Sequence, residues 1–109
     1  METVDRMLEG IEGSTKGLKD GLDPDNLAAW YDAIMGDARE MAPPWLHSKM
    51  RIRRDPVLTM KFTVDISKRA VGYFMTAADA RMGQMPYSTR LYFLKVLEAM
   101  ESEVDRWLV

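Results

Sequence analysis

Apolar residues along this chain recur mainly at three- and four-residue steps, the spacing of helices that bury one side. The clearest run is Leu27, Trp30, Tyr31, Ile34, Met35, Ala38 and Met41. Asp23 precedes it as an N-cap, Pro24 takes the first helical position, and Asp25 adds negative charge to the first turn. Pro43 and Pro44 end it. A second firm helix is predicted at the C-terminal end, after Gly83 and Pro86, with Ser88 as a candidate cap. Leu91, Leu94, Leu97, Val104 and Leu108 form its expected inner face, flanked by Phe93, Val96, Met100 and Trp107. Glu98, Glu101 and Asp105 form its wet side.

Between these helices the pattern carries two periods. With a period of two, Leu58, Met60, Phe62, Val64 and Ile66 alternate with Thr59, Lys61, Thr63 and Asp65, the template of a half-buried strand. With a period of 3.6, Val57, Met60, Val64, Val71, Met75, Ala78 and Met82 form one helical stripe. A strand needs a ladder partner, and the one local candidate is Met50–Arg53 across an Arg-Asp-Pro turn. The expectation favours a helix from near Pro56. Its alternative is an extended segment at 57–66 with a helix beginning near Asp65 or Ser67. Either way a helix is predicted to about Met82, with Ala70, Phe74, Ala77 and Ala78 on one side. The proline pair also suggests a short helix over WLHSKMRIRR.

Residues 1–22 place Val4, Met7, Leu8, Ile11, Leu18 and Leu22 at helical spacing. Gly10, Gly13, Gly17 and Gly21 run beside them, each costing about 1 kcal/mol against alanine inside a helix. Such glycines either admit another helix closely or leave a marginal arm that orders on contact with a partner. The dense Lys, Asp and Glu between them favour the arm. The fold class expected is all-α: one domain over 1–109, a bundle of three to four main helices. Residues 1–22 form the glycine-striped arm and 23–109 the core.

The 109 residues suit a single domain with one core. Cysteine is absent, which removes disulfides, thiolate metal sites and thiol nucleophiles. The start METVDRMLEGIEG lacks the pattern of a secretory leader, and no apolar run approaches the ~20 residues of a membrane span. A cytoplasmic protein is expected. Ten methionines are read chiefly as gap-filling core residues.

The formal net charge of −2 conceals an asymmetry. Residues 1–42 carry four basic and ten acidic side chains, and residues 43–85 carry eight basic and three acidic. Arg51, Arg53 and Arg54 concentrate the positive charge. Such a segment either meets the acidic arm or steers an anionic partner.

Candidate chemistry is sparse. His47 is the one histidine, and Ser48 beside it points elsewhere on a helix, so no base-activated nucleophile is indicated. Glu98 and Glu101 read as a solvated face rather than metal ligands, and no phosphate-binding glycine loop is present. The expectation is therefore a non-catalytic protein-interaction module, a homodimer or a subunit of a larger complex, with no cofactor and no metal. Trp45, Met50, Arg51, Arg53 and Arg54 are its expected partner-binding residues: apolar anchors beside arginines that bind carboxylates. The alternative is a nucleic-acid-binding accessory subunit. It would grip phosphates through Lys49, Arg51, Arg53, Arg54, Lys61, Lys68 and Arg69, with Trp45, Tyr73 and Tyr87 as stacking faces.

Overall fold

In the computed structural model, residues 2–45, 52–53, 61–62 and 68–107 are described. Among the described residues, four helices carry the fold: α1 (Glu2–Thr15), α2 (Pro24–Met41), α3 (Lys68–Arg81) and α4 (Tyr87–Trp107). A 3-10 turn at Met82–Gln84 links α3 to α4. Two two-residue strands, β1 (Ile52–Arg53) and β2 (Lys61–Phe62), lie between α2 and α3. The architecture is the small all-α bundle expected from the apolar spacing.

The sequence places α2 accurately because its boundaries are chemical. Asp23 Oδ1 accepts the Asp25 N–H at 3.0 Å, and Pro24 occupies the first turn, where a missing N–H costs nothing. Leu27, Tyr31, Ile34 and Ala38 are buried, one residue per turn along a single stripe. Chain direction then changes at Ala42, whose extended backbone precedes the prolines.

The middle segment departs from the favoured reading. Lys61–Phe62 is extended, not helical, and pairs antiparallel with β1 in the register Ile52↔Phe62 and Arg53↔Lys61. The ladder partner is the one the period-two reading required, so backbone pairing outweighed the longer helical stripe. The same pairing excludes the suggested short helix at Ile52–Arg53. The remaining residues of both readings, 46–51, 54–60 and 63–67, lie outside the described ones. Helix α3 begins at Lys68 and buries Val71, Phe74, Ala77 and Ala78.

Helix α1 packs along α4, and α2 packs along α3. Met7 and Ile11 are buried in the common core, so the surface that receives the first helix belongs to the same chain. The glycine stripe resolves into separate functions. Gly10 faces the carboxylate of Glu103 on α4, and a Cβ at Gly10 would overlap it. Gly17 and Gly21 adopt φ of 87° and 85° in the turns after Thr15, a region that L side chains enter only with strain. Thr15 closes α1 by donating its hydroxyl to the Ile11 carbonyl at 2.8 Å.

Gly13 meets nothing within 4 Å. Gly13→Ala should therefore raise stability by about 0.5–1 kcal/mol, because the helix loses an entropic penalty and meets no obstacle. Gly10→Ala should give no such gain, since Glu103 must leave its bond to Trp107. Paired thermal melts decide this. Equal gains for both substitutions would show that the Glu103 side chain yields freely.

An aromatic cluster joins the helix pairs. The Tyr31 ring lies 4.9 Å from Phe93 and 6.2 Å from Phe74, and Tyr92 meets Phe93 edge-on at 5.3 Å. The Tyr31 and Tyr92 hydroxyls are 3.0 Å apart within the buried interior, which satisfies polar tips that burial would otherwise penalise. At the surface, Arg81 grips Asp37 in a two-point fork, Nε–Oδ2 at 2.5 Å and NH2–Oδ1 at 3.0 Å, tying α3 to α2. The Arg81 hydrogen bond holds the Asp37 carboxyl below its ordinary range, and Asp37 in turn raises Arg81. Arg90 of α4 donates to the carbonyls of Met82 at 3.1 Å and Met85 at 3.2 Å. Its charge thus meets the negative end of the preceding helix and sets the α3–α4 corner.

Candidate functional site

Helix α4 decides which surface the molecule presents. Its buried residues are Thr89, Tyr92, Phe93, Val96, Ala99, Met100, Glu103 and Val104. This corrects the expected inner face: Leu91 and Leu94 are 42% and 46% exposed. They share the outward side of the helix with Glu98 and Glu101. The candidate cap also shifts. Tyr87 already begins the helix and the Pro86 carbonyl accepts the Arg90 N–H at 2.8 Å, so Ser88 lies inside the first turn.

The outward residues follow a 4-3-4-3-4 spacing: Tyr87, Leu91, Leu94, Glu98, Glu101 and Asp105. The N-terminal half of this stripe is apolar and the C-terminal half acidic. Tyr87 is 73% exposed, and the three apolar positions span about 10 Å of helix surface. Single exposed leucines are ordinary, but three large apolar side chains in one row form a continuous patch. Lys95 Nζ stands 3.7 Å from Glu98 Oε2 beside the row.

A second exposed anchor is Trp45, just past the proline pair, at 62% exposure. The Arg69 guanidinium lies over its ring, 5.5 Å from the centroid. The structure thus joins one expected partner-binding residue with one residue of the alternative nucleic-acid set. Arg53 stands in β1 opposite Lys61 in β2, and Lys68 opens α3. Lys49, Met50, Arg51 and Arg54, together with His47, lie outside the described residues.

The buried carboxylate of Glu103 belongs to a structural clasp. It accepts the Trp107 Nε1–H at 2.8 Å, and Arg106 approaches it at 3.9 Å. Arg6 of α1 covers the Trp107 ring at 5.5 Å, so the clasp fastens α1 to the end of α4. A shallow groove of about 220 Å³ lies between the α1–α2 turn and the start of α4, lined by Leu22, Asp23, Asn26, Pro86, Ser88 and Thr89. It is smaller than the ~300–1,000 Å³ of usual small-molecule sites. Among the described residues, no three His, Cys, Asp or Glu side chains could hold one metal ion, and no helix is long and apolar enough to cross a membrane.

The Leu91–Leu94 surface escaped the sequence reading for a definable reason. The apolar residues of α4 cover most of its circumference, so periodicity alone does not select the inward side. The signal that could have found it is volume and charge. Tyr92, Phe93, Val96 and Met100 form the bulkier row, and the leucines align with Glu98, Glu101 and Asp105.

No protein-family model, no curated protein and no solved structure matches this chain.

Proposed function

We propose that this chain is a non-catalytic protein-interaction module, working in the cytosol as a small assembly or regulatory subunit. The observation that supports this most directly is the exposed row Tyr87, Leu91 and Leu94 on α4. Covering the exposed half of each leucine contributes roughly 1 kcal/mol to a complex, and water gains nothing from leaving it bare. The acidic continuation of the row favours a partner that is apolar at one end and polar or basic at the other. Trp45 adds a separate aromatic anchor of the kind that dominates binding energy at interfaces.

The test is affinity capture from the native cell, with nuclease added to half of the sample, using the unmodified chain and a Leu91→Ser, Leu94→Ser variant. The unmodified chain should retain protein in both halves. The variant should lose it while its melting temperature changes little, since exposed positions typically shift stability by about 0.5 kcal/mol or less. Equal retention by both chains would remove the α4 row from the interface.

A second reading, phosphate binding by the basic middle, draws support from one observation. The β1–β2 register pairs Arg53 with Lys61, so the backbone ladder joins two residues of the basic segment. In the same capture, this reading expects retention that vanishes with nuclease and falls steeply with salt.

A further inference from the structure

We propose that the partner of the α4 row is a second copy of this chain. The two copies pair through antiparallel α4 helices, Leu91 of each against Leu94 of the other. This rests on the interaction reading above and names its partner.

The spacing of the row carries the argument. Tyr87, Leu91, Leu94 and Glu98 are separated by four, three and four residues, so the row reads identically in either direction. A twofold axis passing between Leu91 and Leu94 maps each leucine onto the other and maps Tyr87 onto Glu98. That is the self-complementarity an isologous interface requires. The centre of the seam is then leucine on leucine. Each end places a phenol, which can donate a hydrogen bond, against a carboxylate that can accept one.

Charge excludes the competing arrangements. Parallel pairing in register would face Glu98 with its own copy, and like charges there repel. Moving the antiparallel axis one turn toward the C-terminus would set Leu94 against Glu98 and Leu91 against Glu101, burying carboxylates on apolar side chains. Among the antiparallel registers, this one covers both leucines with apolar surface, and it keeps Glu98 away from its own copy. Tyr87 and both leucines are already exposed, and α4 keeps its opposite side in the core, so pairing needs no rearrangement of the bundle.

The seam extends about 16 Å along a helix about 10 Å wide, so it covers well under the roughly 800 Å² per partner of a standard interface. Association is therefore of the weak, transient class.

The absence of native cysteine makes the test direct, because introduced thiols report alone. Chains carrying Leu91→Cys and Leu94→Cys are mixed and air-oxidised. From an equal mixture, the mixed 91–94 disulfide should form in at least tenfold excess over either symmetric one, against the twofold excess that random pairing gives. Sedimentation equilibrium of the unmodified chain should show a dimer fraction rising with concentration toward 1 mM. Leu94→Glu should weaken that association at least tenfold with its melting temperature retained. A mixed disulfide at no more than the twofold excess of random pairing, or a strict monomer to 1 mM, overturns the pairing. If the monomeric chain still captures another protein and Leu94→Glu releases it, the pairing fails and the interaction reading stands. If nothing is captured either, both fail.

Discussion

Phe93→Ala should destabilise the protein by about 3–5 kcal/mol, a large part of the roughly 5–15 kcal/mol that holds a domain folded. Phe93 is wholly buried. Its ring touches those of Tyr31 on α2 and Tyr92 on its own helix, and the Tyr31 ring continues to Phe74 on α3. Truncation removes apolar surface from water-free contact and leaves a void bordered by three helices, which move toward it only in part. The two rings that carry the Tyr31–Tyr92 hydroxyl pair also lose a packing partner. Urea titration of the variant measures the loss, and Tyr87→Ala, at an exposed position on the same helix, supplies the contrast. A loss below about 1 kcal/mol for Phe93→Ala would place that ring outside the core.

Ala78→Leu should cost about 1–3 kcal/mol, although leucine forms helices nearly as well as alanine. The cost comes from space. Ala38 on α2 and Ala77 and Ala78 on α3 are each buried to within 1% of complete coverage, and α2 packs along α3. Side chains so fully covered leave no free volume, and three added carbon atoms must displace the neighbouring helix or force strained rotamers. That movement also opens the Asp37–Arg81 fork, which spans the same two helices. Ala80→Leu on the exposed side of α3 should be neutral within about 0.5 kcal/mol. Thermal melts of the two variants separate packing from helix propensity. Equal effects would mean that the α2–α3 contact is loose.

The candidate site was less legible than the fold. The sequence marks Trp45 as an anchor, and it is exposed, but Arg51 and Arg54 lie outside the described residues and Arg69 is the cation that covers it. The apolar spacing of α4 places Leu91 and Leu94 inward, and the structure places them outward. Inward and outward are relations to other helices, and no local pattern on α4 records where α1 and α3 lie.

What the sequence settled by itself was local chemistry. Asp23 and Pro24 started α2, the proline pair and Gly83 punctuated the chain, and three- and four-residue spacing made the bundle all-α. Each of these acts over one or two turns of backbone, within reach of a reading of neighbours. Only the tertiary structure decided the rest. It paired Ile52–Arg53 with Lys61–Phe62, gave Gly10 the task of admitting Glu103, and rotated α4 so that Phe93 faces inward and Leu91 outward. These outcomes depend on contacts between residues far apart in the chain, where packing volume and ladder hydrogen bonds outweigh the periodicity of any single segment.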